Sequence, residues 1–475
     1  MNYLINRDNI SLYFLITICL SFVFSVLLLE IIFASYFFYL VAKKKLFNLD
    51  INKKKSVIFF AILYVYLLLN FIHNIDNDPS ALRTFFFFRF FFYLYLISFL
   101  QKEFGINYVR FLNYLVLFLI IVCLDALFQA IFSFNIFGFK NISSYGMSRI
   151  SGFFHNEYIL GSFLFSFSWT IFIFFLNKKK TDSIINIFIL SIFICTIFFA
   201  GEKAATFKLL LLLCLTFIFL KTYRVLFIKS FVPTFIFIFL ILILQNNFFL
   251  KNHKKENICN NEVTLTNILD RYYFIPILKD ALYQFHPEFI YDRLCKKDKN
   301  ISKEINDDLN LQEETNHENK DKIPSLIPPL STPPSLIVSP LANQTVLART
   351  AYLIFKDNIF FGSGIKTFRK LCLNSKYNNG KKFTSITHCN NHPHNIYLEI
   401  LSEIGLVGLF LILIFFFTFF YENRNFVNND KKRLFLIYFF CIFFPFQTTG
   451  SFFNNYVLLT LFFSLSNYYF SSKIN

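Results

Sequence analysis

Apolar residues gather in blocks of roughly bilayer length separated by short polar stretches, and this alternation sets the predicted elements. Residues 9–42 form one apolar run too long for a single untilted span of about 20 residues, so it is read as a tight hairpin of two with Glu30 near the turn. Further spans are expected at about 56–73, 82–100, 111–133, 158–176 and 184–199, then in a helix running to about 220, and at 231–249. Three more follow: one opening near 394 and running to about 419, then 434–447 and 452–470. The pattern predicts an all-α polytopic membrane protein of about 12 transmembrane helices, or eleven if 9–42 crosses once. It divides into an N-terminal bundle of about nine spans (1–249), one large loop (250–393) between the ninth and tenth spans, and three C-terminal spans (394–475). The centre of the loop, 296–344, is rich in Asn, Asp, Glu and Lys and then in Pro and Ser. Lacking apolar periodicity, it cannot offset the entropy of ordering and is expected to be disordered. Val346 to Lys370, by contrast, has helical apolar spacing, broken by the turn Phe361-Gly-Ser-Gly364.

Composition and charge sharpen this reading. Hydrophobic residues make up 56% of the 475, phenylalanine alone accounts for 74, and mean hydropathy is +0.52, more apolar content than a soluble core can use. A formal charge of +17 would suggest a nucleic-acid partner in a soluble chain, but much of it lies between apolar blocks, at Lys43 to Lys45, Lys53 to Lys55, Lys178 to Lys180 and Lys431 to Arg433. Such clusters are topology signals, which put these loops and both termini in the cytoplasm, together with a loop containing Lys221, Arg224 and Lys229. The loops around Asp76 and Gly146 and the whole of 250–392 then face outside. The expected partner is the lipid bilayer and no nucleic acid. No small-residue cleavage site follows the first block, so no cleavable signal is expected.

Candidate chemistry concentrates where the large loop meets the tenth span, in His388-Cys-Asn-Asn-His-Pro-His-Asn395 followed by Ile396 to Gly408. Three of the chain's eight histidines lie here. Pro393 suits the first turn of a helix, so His392, His394 and Asn395 are expected around an N-terminus able to hold an anion. The same helix end favours a neutral His394 imidazole able to accept a proton, with His392 second to it. Asn395, Glu399 and Glu403 share a helical face at four-residue steps. Arg149, Lys203 and Arg349 are the outside cations able to meet an anion. Their plainer readings are an interfacial anchor, a solvated loop partner of Glu202 and a surface charge. Asp125 and Gln129, four apart, read as a buried hydrogen-bonded pair joining spans, and Arg83 and Arg89 should face protein or water. Cys259, Cys295, Cys372 and Cys389 share the large loop and allow one or two disulfides; Cys372 with Cys389 would fasten its end beside the histidines. No Cys-x-x-Cys or His-Glu-x-x-His spacing occurs, so neither metal nor cofactor is expected.

His394-Asn395 followed by Gly405 and Gly408 is similar to the signature after the large periplasmic loop in the O-antigen ligase and polymerase family, bacterial membrane proteins with a Wzy-type C-terminal domain. Arg149-Ile-Ser-Gly-Phe-Phe-His-Asn156 resembles that family's Arg-x-x-Gly-Phe-x-x-Asn loop, and Gly201-Glu-Lys-Ala-Ala205 its Gly-Glu-Arg-Ser/Ala turn. Arg349 through Phe361-Gly-Ser-Gly364 to Phe368 resembles the helix and Gly-x-Gly turn before the catalytic histidine. The matches keep the family's order over about 140–460. Two departures stand out: Lys203 replaces the commoner arginine, exchanging a bidentate contact for a point charge, and the loop carries an unusual insertion.

The resemblance implies a GT-C-like glycosyltransferase of the bacterial inner membrane with its site facing the periplasm. Its donor would be an undecaprenyl diphosphate-linked glycan, passed to lipid A-core by an O-antigen ligase or to a second lipid-linked glycan by a polymerase. The dianionic leaving group calls for fixed cations or helix ends more than for a metal. His394 would be the base with His392 beside it, and Arg149, Lys203, Arg349, Asn395 and Glu399 would bind diphosphate or glycan. Gly405 and Gly408 read as close-packing positions. The rival class is a transporter or flippase of envelope glycolipids, which calls for inverted repeats and broken helices; the apolar blocks give no sign of either.

Overall fold

The computed structural model of the chain describes residues 17–18, 20–23, 26–42, 55–95, 108–144, 147–155, 157, 159–178, 181–252, 340–374, 376–377, 389–424, 429–445 and 450–471. His388, Cys259, Cys295 and most of the segment 296–344 lie outside the described residues. Helices dominate: α1 (Val26–Ala42), α2 (Lys55–His73), α3 (Ala81–Phe85), α4 (Tyr108–Phe132), α5 (Leu160–Leu176), α6 (Ile184–Phe199), α7 (Lys203–Phe219) and α8 (Lys221–Asn252). After them come α9 (Pro340–Asp357), the short α10 (Phe368–Leu371), α11 (Ile396–Glu422), α12 (Asn429–Ile442) and α13 (Asn455–Ser471). A two-stranded antiparallel hairpin, β1 (Ile142–Ser144) with β2 (Met147–Arg149), lies between α4 and α5.

Among the described residues four helices are long and apolar enough to cross a membrane, Lys55–His73, Tyr108–Phe132, Lys221–Leu244 and Ile396–Glu422, and shorter apolar helices accompany them. Their outward faces carry large apolar side chains such as Leu69, Ile72, Phe239, Phe410 and Phe417. Hydrocarbon accepts that surface, and helices satisfy their own backbone groups there. The chain clusters into two units. The first comprises 1–140, 150–241 and 339–475, with a core in which buried Trp169 meets Phe435 edge-on at 4.8 Å between ring centroids. The second comprises 141–149 and 242–338, of which the hairpin and the end of α8 are described; Ile142 pairs there with Arg149 and Ser144 with Met147.

Several sequence expectations shift. Glu30 is not at a turn: it sits inside α1, where Oε2 accepts from Tyr93 Oη at 2.6 Å and meets Arg89 Nε at 3.1 Å. A carboxylate with such partners is tolerated inside a helix. Lys221, Arg224 and Lys229 form no loop but the opening turns of α8; Arg224 donates at 2.9 Å to the Phe217 and Ile218 carbonyls, and Lys229 pairs with Asp182 at 2.6 Å. Asp125 and Gln129 are buried, yet they do not bond to each other. Asp125 Oδ1 accepts the Ile136 amide at 3.0 Å, while Gln129 Oε1 accepts the Ser151 and Gly152 amides at 3.0 and 2.6 Å. They fold the loop after α4 back onto the end of that helix instead of joining spans. Glu202, in the plainer reading a solvated loop partner of Lys203, accepts the Gly161 and Ser162 amides at 2.6 and 3.0 Å and so caps α5.

Candidate active site

α11 begins at Ile396 because extended Asn395 caps it, its Oδ1 accepting the Tyr397 and Leu398 amides at 3.0 and 3.1 Å. Pro393 therefore precedes the cap and does not occupy the first turn. Two amides expected to hold an anion are held by the chain's own side chain. Asn395 Nδ2 also donates to the Pro445 carbonyl at 3.0 Å, and Tyr397 Oη to that of Phe443, so the segment after α12 is tied to the start of α11.

His394 is in the left-handed region at φ +56°, where a non-glycine residue costs roughly 1 to 2 kcal/mol. Its ring centroid is 4.2 Å from that of His392, and Nε2 lies 2.9 Å from Asn390 Nδ2. Cys372 and Cys389 form a disulfide, with 5.4 Å between Cα atoms, immediately before Asn390. This is the pairing that would fasten the loop end beside the histidines, as the sequence suggested.

The expected unbroken span is in fact broken. Gly405 has φ +66° and ψ −170°, which interrupts α11 nine residues after Ile396. The turn at 359–364 fills the gap: the freed Ser402, Glu403 and Ile404 carbonyls accept from Ser363 N at 2.9 Å, Gly364 N at 2.8 Å and Tyr66 Oη at 2.6 Å. In return Leu406 N and Val407 N donate to the Ile359 and Phe360 carbonyls at 2.9 and 3.2 Å. The two backbones touch, since a Cβ on Gly362 would stand 2.5 Å from Glu403 C and Ile404 N. α2 holds the other side of the turn, Asn70 Nδ2 donating to Phe361 O, with Asn77 Nδ2 donating from just beyond the helix to Ser363 O at 3.2 Å.

Beneath the turn lies a buried charged network. Lys366, at φ +65° and 6% exposed, donates its amide to Glu403 Oε2 at 2.7 Å and faces Glu399 Oε1 with Nζ at 3.4 Å. Nζ also donates to Ser451 Oγ, which donates to Glu399 Oε1 at 2.6 Å, while Phe452 N donates to Glu399 Oε2 at 2.7 Å. Arg83 on α3 donates to the Phe453 carbonyl at 2.6 Å, so the residues before α13 are held from two sides. Glu399 is 1% exposed and both of its oxygens are engaged by protein donors.

Of the predicted site residues, His392, His394, Asn395 and Glu399 meet at this junction. Lys203 is exposed at the first position of α7, and Arg349 is exposed on α9, opposite the stripe Leu347, Ala351 and Ile354. Arg149 ends β2 in the second unit. Lys366, Ser451, Tyr66 and Asn70 were not singled out in the sequence. A signal existed for two of them: Tyr66, Asn70 and Asn74 recur at four-residue steps along an apolar helix. Among the described residues no group of three or more His, Cys, Asp and Glu side chains is placed to hold a metal.

Fold and junction together define a multi-pass helical membrane protein whose polar groups converge on one broken span. Residues 341–413 match the family model Wzy_C, O-antigen ligase. That stretch is the junction itself: α9, the glycine turn, the histidine segment and the first part of α11. No curated protein matches the chain.

Proposed function

We propose that the chain is a membrane glycosyltransferase of the O-antigen ligase type, moving a glycan from undecaprenyl diphosphate to a lipid A-core hydroxyl at the periplasmic face of the bacterial inner membrane. The observation that carries this reading is the family match at 341–413, which falls on the junction that fixes His394. In this reading 1–249 and 394–475 are the membrane parts and 250–393 is the periplasmic loop. The acceptor oxygen attacks the anomeric carbon, the His394 imidazole takes its proton, and the bond to the diphosphate breaks. His392 lies against the same ring and is second to it. The leaving charge falls to side-chain cations, because Asn395 already occupies two helix-end amides. Lys203 and Arg349, which belong to the same unit as His394, are the candidates for that role.

A broken span with buried charges is also what a transporter uses at its substrate site. The bonding at Gly405 favours the first reading: the carbonyls of Ser402, Glu403 and Ile404 all accept from protein donors, so the break is filled by the chain's own turn and by Tyr66. The test is a deletion strain complemented with wild type or His394→Ala, read by lipopolysaccharide gel. Loss of polymer from the core with lipid-linked long chains retained is the expected result. A core carrying a single repeat would make the enzyme the polymerase of the alternative reading. Normal polymer in the His394→Ala strain would overturn the assignment.

A further inference from the structure

Lys366 is a poor choice for a purely structural brace. It holds a left-handed backbone and a nearly inaccessible ammonium, a combination stable only when its surroundings over-determine it. Replacing a buried ion pair by apolar groups of similar volume is often neutral or stabilising, so pairing with Glu399 does not by itself account for the charge. What the charge does is join three distant segments. Lys366 lies two residues after Gly364 of the glycine turn; its Nζ reaches Glu399 on α11 and Ser451 before α13. Glu399 is one turn beyond Asn395, the residue that caps α11 next to His394 and also holds Pro445. Two points of the α12–α13 connection, Pro445 and Ser451, are thus fastened to the cap and first turn of α11 that follow the histidine.

We propose that Lys366 is a positioning residue for glycosyl transfer: through Glu399 and Ser451 its ammonium fixes the start of α11, and with it His394, against the reacting sugar. The proposal rests on the glycosyltransferase reading. Misplacing a reacting group by about 1 Å costs on the order of 100-fold in rate, which sets the scale of the effect.

The experiment uses the full-length protein in detergent or nanodiscs with undecaprenyl diphosphate-linked glycan and lipid A-core. The double variant Lys366→Met with Glu399→Gln removes both charges and leaves neither buried alone. Its melting temperature and membrane level are expected to stay near wild type, with KM for the donor within about 2-fold and kcat lowered about 10- to 100-fold. Should the double variant not insert, Ser451→Ala decides, since it removes the hydroxyl link and strands no charge; kcat is expected to fall several-fold at unchanged KM. Unchanged kcat in the inserted double variant, or in Ser451→Ala, overturns the proposal while the glycosyltransferase reading stands. A wild-type protein with no transfer activity overturns both.

Discussion

α4 and α11 carry the same signature, two polar residues four apart on an apolar helix: Asp125 with Gln129, and Glu399 with Glu403. All four are buried. On α4 the partners come from the loop that follows directly, Asn135, Ile136, Phe139, Ser151 and Gly152, and every one is a neutral amide or carbonyl. On α11 the partners come from Lys366, 33 residues earlier than Glu399, and from Ser451, 52 residues later, and one of them is an ammonium. Identical spacing therefore serves two purposes. The pair with neutral partners shapes a loop, while the pair with an ammonium partner gathers three parts of the chain around the candidate site.

The sharpest way to break this comparison is to remove the carboxylate charge on each helix. Glu399→Ala strands the Lys366 ammonium in a site only 6% exposed, a loss expected at about 3 to 5 kcal/mol. Asp125→Asn keeps an oxygen to accept the Ile136 amide and is expected to cost about 1 kcal/mol. Thermal unfolding of the detergent-solubilised proteins, followed by aggregation or intrinsic fluorescence, measures both. Equal losses would mean that charge does not distinguish the two pairs.

Next in size are the glycines. Gly362→Ala would place a methyl group 2.5 Å from the α11 backbone at φ +69°, where neither chain can withdraw without losing the bonds that fill the break. Overpacking and the left-handed conformation together predict a loss of about 3 kcal/mol. Gly138, in the loop held by the α4 pair, has φ +82° but no heavy atom within 4 Å of an added Cβ. Gly138→Ala should therefore cost only the conformational part, about 1 to 2 kcal/mol. Comparing the two melting temperatures separates close approach from backbone conformation, and a Gly138→Ala loss as large as that of Gly362→Ala would show that conformation alone governs both.

These contrasts also mark what the sequence made legible. α6 begins and ends where its apolar block does, at Ile184 and Phe199, because hydropathy and flanking polar residues are local properties. The break at Gly405 is not local. The groups that satisfy it sit on 359–364 and on Tyr66, so a glycine within a long apolar run looks like a packing position until those segments are brought together. Lys366 escaped for the same reason: a lone lysine between a glycine turn and Phe368 has no partner within its own stretch of sequence. His394 was legible because a polar, histidine-rich segment running into an apolar block is a contrast between neighbours. The cap that leaves it just outside the helix depended on which of Pro393 and Asn395 ends the loop, and only the Asn395 side-chain bonds decide that.

The smallest expected effect tests whether burial, and not pairing alone, gives the Lys366 contact its importance. Asp357 at the end of α9 meets Lys376 at 2.7 Å, with side chains 32% and 63% exposed. The Lys376 hydrogen bond holds the Asp357 carboxyl below the usual carboxylate value. A lowered folded-state value means that its contribution is fully present above the unfolded value of about 3.9 and is lost as pH falls through the lower folded value. The melting temperature of wild type should then exceed that of Asp357→Asn by a small, constant margin from pH 7 to about 5, and the margin should close below about pH 4. Solvent screens such a pair, and added salt should shrink the margin further. The Lys366–Glu399 contact, closed to solvent, should be insensitive to the same salt, so a salt response of equal size in Glu399→Ala would remove the distinction between the buried and the exposed pair.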